Sequence, residues 1–75
     1  MKAYVLVNVA AGQAMELAEQ VRQVPGIVDA DVITGEYDLV VTCEADDIVS
    51  LGTLLVEGVQ RLEGVFKTTT CLVAQ

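Results

Sequence analysis

The stretch of this chain best equipped to hold a small polar ligand is Thr34-Gly35-Glu36-Tyr37-Asp38. Glycine at position 35 admits a positive φ, and a turn of that kind can aim backbone N–H groups at an anion such as a carboxylate. Asp38 can accept hydrogen bonds from an ammonium group, and Tyr37 can supply an apolar wall. A zwitterionic amino acid needs such a pair of opposite-sign partners. The same residues also suit a plain turn, in which Gly35 bends the chain, Tyr37 packs and Asp38 meets solvent. Spacing leaves both readings open.

Thr68-Thr69-Thr70 is the second candidate, with hydroxyls that can bond a polar ligand, although β-branched threonine suits an edge strand without any function. Asp29 with Asp31, and Asp46 with Asp47, are the acidic pairs that general acid–base chemistry or a hard metal would use. Neither has a third ligand, a phosphate loop or a nucleophile–base arrangement nearby in sequence. They fit better as a solvated strand edge and a helix start. The chain has no histidine, which removes His-based catalysis and His-ligated metal sites. No enzyme activity, metal or cofactor is expected.

Composition narrows the partners. A formal charge of −7 repels phosphate backbones and anionic membrane surfaces, so direct nucleic-acid or membrane binding is not expected. Cys43 and Cys71 are too few for a disulfide scaffold and lack metal-ligand spacing. Both lie in apolar runs and read as buried small hydrophobes. No signal peptide and no apolar stretch of about 20 residues is present, so a cytoplasmic protein is expected. Only Tyr4, Tyr37 and Phe66 are aromatic, which leaves the core to Val, Leu, Ile and Ala.

The elements that must position these residues follow from periodicity. Ala3 to Val9 is a β-rich run. Ala14, Leu17, Ala18, Val21 and Val24 recur at helical spacing, and Pro25-Gly26 stops that helix. Val28 to Thr34 reads as a second strand, with Asp29 and Asp31 on alternate positions as an edge strand would carry them. After the Gly35–Asp38 turn, Leu39 to Glu44 completes an antiparallel hairpin. Asp46 and Asp47 precede a second helix with Ile48, Leu51, Leu55, Val59 and Leu62 on one face. Gly64 ends it, and Val65 to Ala74 forms the last strand.

Val21-Arg22-Gln23-Val24-Pro25-Gly26-Ile27 resembles Val59-Gln60-Arg61-Leu62-Glu63-Gly64-Val65, with the two glycines 38 residues apart. The chain is thus two strand–helix–strand halves. They predict one α+β domain over 1–75, a ferredoxin-like βαββαβ fold with an antiparallel sheet of order 4-1-3-2 and both helices on one face. If Ala3, Val5, Val7 and Val9 face the helices, then Tyr4, Leu6 and Asn8 face away, as do Val40, Thr42 and Glu44. Tyr4, Leu6, Val40 and Thr42 would then form an uncovered patch, the surface expected to join two copies face to face as an α/β-barrel-like dimer.

The β-rich run from Ala3 to Val9, Pro25-Gly26-Ile27-Val28, Thr34-Gly35-Glu36-Tyr37-Asp38-Leu39, and Leu62-Glu63-Gly64-Val65 followed by Thr68-Thr69-Thr70 together resemble the effector-binding (RAM) domain of the Lrp/AsnC transcriptional regulators. The likeness spans the chain, and the Thr-Gly-Glu-Tyr-Asp turn is its most specific part. It implies dimers joined through their sheets, rings of four or five dimers (an octamer or decamer), and an amino-acid effector held between dimers. By position it implies effector-binding roles for Gly35, Tyr37 and Asp38, and for Thr68 and Thr70; where such regulators often have Arg between the two threonines, this chain has Thr69. It also implies a stand-alone module without the DNA-binding helix-turn-helix, able to co-assemble with full-length regulators. Three other classes compete: a purely structural oligomerisation partner, an ACT-type regulatory domain with its ligand near Ala10-Ala11-Gly12-Gln13, and a cofactor-free monooxygenase of similar fold.

Overall fold

Strict alternation along the first strand organises the molecule. In β1 (Lys2–Val9), Ala3, Val5, Val7 and Val9 are buried, while Tyr4 is exposed and Leu6 and Asn8 are half-covered. The chain continues through α1 (Ala14–Arg22), β2 (Ile27–Val32), β3 (Leu39–Glu44), α2 (Ile48–Leu55) with a π-turn at Val56–Gln60, and β4 (Val65–Leu72). This computed structural model describes residues 1–74. The sheet has order β2-β3-β1-β4 and every neighbouring pair is antiparallel. The two most apolar strands, β1 and β3, therefore lie in the centre, as expected.

Leu39, Val41 and Cys43 complete the inner face, packed with Ala30 of β2 against Leu17, Ala18 and Val21 of α1 and Leu51, Leu55 and Val59 of the second helical segment. Register fixes which residues share the outer face. Tyr4 lies opposite Thr42 and Cys71, and Leu6 lies opposite Val40 and Thr69. Since opposite residues in an antiparallel pair point the same way, these six side chains form one uncovered surface.

Each helix is held by a different device. Arg22, at the end of α1, donates from Nε and Nη2 to the Ala30 carbonyl at 3.0 and 2.6 Å, fastening the helix to edge strand β2. Asp47 caps α2, its carboxylate accepting from the Ser50 N–H at 2.8 Å. That bond holds the Asp47 carboxyl below the usual carboxylate range. Leu51, Leu55 and Val59 recur every four residues, which over-rotates in a helix of about 3.6 residues per turn. The wider π-turn, closed by the Arg61 N–H to Val56 carbonyl bond at 3.1 Å, takes back the excess and keeps Val59 on the sheet.

Several expectations need correction. Cys71 is exposed, not buried, because its register opposite Tyr4 puts it on the uncovered face; Cys43, opposite Ala3, is buried. Ile48 is 57% exposed although it shares its helix face with Leu51 and Leu55, which are buried. The strands β2 and β4 end earlier, at Val32 and Leu72, and Val24 lies outside α1.

Two outcomes follow. Leu17→Ala removes a side chain 2% exposed and lowers unfolding free energy by about 2–5 kcal/mol. Met15→Ala, at a position 73% exposed on the same helix, changes it by no more than about 0.5 kcal/mol, and urea denaturation separates the two. The second concerns acid. Because Asp47 titrates lower when folded, its stabilisation is complete at neutral pH and is lost as pH falls below about 4. Asp47→Asn still caps but cannot titrate, so urea midpoints at pH 7 and pH 3 differ less in this variant than in the wild type; an equal difference would show that the cap does not titrate.

Candidate functional site

The connection between β2 and β3 is clipped to the end of β1 at three points and closed on itself at a fourth. Asp38 donates its N–H to the Val7 carbonyl at 2.9 Å, and its own carbonyl accepts from the Ile33 N–H at 2.9 Å. The Asp38 Oδ2 atom accepts from the Val9 N–H at 2.9 Å. Asn8 Nδ2 donates to the Glu36 carbonyl at 3.0 Å. The side chain of Asp38 thus extends the β1–β3 ladder beyond the last backbone pair, Val7 with Leu39. On the other side of β1 the ladder to β4 shifts between Asn8 and Val9, where Phe66 is the extra residue.

Asp38 is consequently neither a free ligand group nor a solvated bystander. One carboxylate oxygen is committed to Val9; among the described residues Oδ1 takes no hydrogen bond and remains available to an external donor. Gly35 has φ +152, a conformation that L side chains rarely adopt, and a Cβ built there meets nothing within 4 Å. Glycine is required here by backbone geometry, not by lack of space. Tyr37 is half-buried beside it, and Thr34, Gly35 and Glu36 are exposed. The turn is rigidly seated with an accessible tip.

The threonines lie across the sheet. Thr68 pairs with Val7 and Thr70 with Val5, which places both on the helix side of edge strand β4. Two strand spacings, roughly 9–10 Å, separate Thr68 from the β3 side where Asp38 sits. Thr70 is two residues further along. A single chain therefore brings Gly35, Tyr37 and Asp38 together but does not gather the threonines around the same small ligand.

Two features escaped the sequence. Gln60, carried at the end of the π-turn, donates from Nε2 to Thr68 Oγ1 at 3.2 Å, so the Thr68 hydroxyl already has a partner. Spacing alone gives no sign of it, since an unbroken α-helix would aim Gln60 elsewhere. The other is an open cleft of about 440 Å³ between the start of α1 and the turn into β4, lined by Gln13, Glu16, Leu17, Gln20, Glu63 and Gly64. It adjoins the strand–helix loop where an ACT-type ligand would lie. Among the described residues no group of acidic or cysteine side chains could hold a metal, and no helix is long and apolar enough to cross a membrane.

With this geometry in view, comparison with known proteins is informative. The family description "Lrp/AsnC ligand binding domain" matches residues 2–75. The HTH-type transcriptional regulator FL11 of Pyrococcus furiosus is 35% identical over 71 residues, covering 95% of this chain and 46% of the regulator. The chain thus spans less than half the length of the curated relatives it matches. The crystal structure of TTHA0845 from Thermus thermophilus superposes with a TM-score of 0.92 at 30% identity, over 99% of this chain and 92% of that one. A transcriptional regulator from Neisseria meningitidis, NMB0573, solved as an L-Met complex, shares the fold at 22% identity and a TM-score of 0.86, over 99% of this chain and 49% of that one. The βαββαβ fold and a family of transcriptional regulators are thereby established, and the chain belongs to the Lrp/AsnC ligand binding domain family.

Proposed function

We propose that the domain is a non-enzymatic sensor that binds a small amino-acid effector at the Gly35–Asp38 turn, with the free Oδ1 of Asp38 receiving the ammonium group. The observation that carries this is the seating of Asp38: the Val9 N–H fixes one oxygen of a half-buried carboxylate and leaves the other without a hydrogen bond among the described residues. Preorganised charge of this kind binds without the entropic cost of ordering a loop. The exposed tip at Gly35 supplies backbone N–H groups for the carboxylate. The L-Met complex of the Neisseria regulator supports amino acids as the class to try first.

Thr68 and Thr70 join this site only if a neighbouring copy brings its β4 edge to the turn. The uncovered face of Tyr4, Leu6, Val40 and Thr42 provides the first step, a homodimer formed sheet to sheet. Larger rings of such dimers, an octamer or decamer, would set one dimer's threonines beside another's turn. The same contacts would let the domain co-assemble with full-length regulators of its family. A second reading, an assembly partner without a ligand, is favoured by the same Asp38–Val9 bond if the clip is purely architectural.

Paired substitutions separate the two. Asp38→Asn retains an oxygen for the Val9 N–H but removes the charge, so it keeps most of the stability and weakens amino-acid binding at least tenfold in calorimetry. Asp38→Ala leaves the Val9 N–H unpaired and lowers unfolding free energy by about 1–3 kcal/mol. No heat from any common amino acid at millimolar concentration, with the same loss of stability in Asp38→Ala, would assign the clip to architecture alone.

A further inference from the structure

Alternation puts Asn8 on the outer side of β1, in line with Tyr4 and Leu6. Its half-buried amide reaches the β2–β3 connection, where Nδ2 donates to the carbonyl of exposed Glu36 at 3.0 Å. The ladder to β4 breaks register at the same place, between Asn8 and Val9. Irregularities of that kind re-aim side chains. The bond joins the last turn-ward side chain of β1 to the tip of the turn, 28 residues away in sequence.

What this bond fixes is a peptide plane. A trans peptide holds its carbonyl and its N–H on opposite sides, and none of the described peptides is cis. Holding the Glu36 carbonyl towards β1 therefore turns the Tyr37 N–H away from β1. The next peptide is set in the same sense. The Asp38 N–H points at the Val7 carbonyl, which turns the Tyr37 carbonyl away as well. Among the described residues neither main-chain group of Tyr37 has a hydrogen-bond partner. Tyr37 thus shows a donor and an acceptor away from β1, as an edge residue of a ladder does.

The two planes are held differently. The Tyr37–Asp38 peptide is fixed by a backbone bond to Val7 and needs no side chain. The Glu36–Tyr37 peptide is held by Asn8, and Gly35 just before it offers little resistance to rotation. Thr34 to Asp38 contains no lysine or arginine, so a carboxylate bound at the turn depends on main-chain donors. An α-amino acid can meet Tyr37 as one strand residue meets another, with its carboxylate on the N–H and its ammonium on the carbonyl. We propose that Asn8 is a positioning residue of the site: it keeps the Tyr37 N–H turned outward to receive the effector's carboxylate, without touching the effector itself.

The inference rests on the effector reading above and divides that site in two. Asp38 and the Tyr37 carbonyl serve the ammonium half and do not depend on Asn8. The carboxylate half does. Loss of Asn8 therefore changes which ligands are preferred, an effect that general weakening of the fold would not produce.

L-methionine and 3-(methylthio)propylamine, the same molecule without its carboxylate, separate the halves in NMR titrations. Asn8→Ala is expected to weaken L-methionine by about tenfold or more and to leave the amine within about twofold of its wild-type affinity. Asp38→Asn weakens both. Asn8→Asp, equal in shape but without the amide N–H donor, is expected to lose L-methionine as Asn8→Ala does. Residual dipolar couplings of the backbone amides give a readout without ligand. The Tyr37 coupling is expected to change in Asn8→Ala while those of Asp38 and Leu39 hold. An unchanged Tyr37 coupling, or equal losses for the amino acid and the amine, would overturn the proposal. A changed Tyr37 coupling with no common amino acid bound by the wild type would overturn the effector reading, and the binding role of Asn8 with it.

Discussion

A single layer of helices can cover only one face of a four-stranded sheet. That constraint governs this domain. Residues alternate across each strand, so packing Ala3, Val5, Val7 and Val9 under the helices forces Tyr4, Leu6 and Asn8 to the other side. The same holds for Val40 and Thr42 in β3. The buried core is apolar, with no buried polar or charged residue among those described. The outer face carries tyrosine, leucine, valine and threonine at its centre, a composition better suited to an interface than to water.

Seating the Gly35–Asp38 turn depends on the same central strand. Val7 and Val9 bury their side chains inward while their backbone groups reach sideways, the carbonyl of Val7 and the N–H of Val9 both meeting Asp38. The turn is therefore attached to the rigid core, not tethered by a flexible loop. Binding sites carried on such supports keep their geometry without being ordered by the ligand. The threonines of β4 sit on the opposite flank of β1, which is why one chain supplies only part of the proposed site.

Much of this was legible in the sequence. The internal repeat from Val21 to Ile27 and Val59 to Val65 determined the two halves, and with them the strand order. Alternation assigned the faces of β1 and β3 correctly. Legibility failed where residue type does not determine environment. Ile48 shares a helix face with buried Leu51 and Leu55 yet is exposed at the start of α2, and the β4 register turns Cys71 outward. The four-residue spacing of Leu51, Leu55 and Val59 is close enough to an α-helical repeat to pass for one, so the π-turn that brings Gln60 to Thr68 was not anticipated. Nor could the Asp38–Val9 bond be read, since its partners are 29 residues apart and meet only through the fold.

The central claim is that the open sheet face is covered by a second chain. Small-angle X-ray scattering, extrapolated to low micromolar concentration, measures it without any substitution. A lone chain has a Cα radius of gyration of 11.3 Å. The account predicts a value well above this and a forward-scattering mass of two chains or more. A radius near 11.3 Å with the mass of one chain would contradict it.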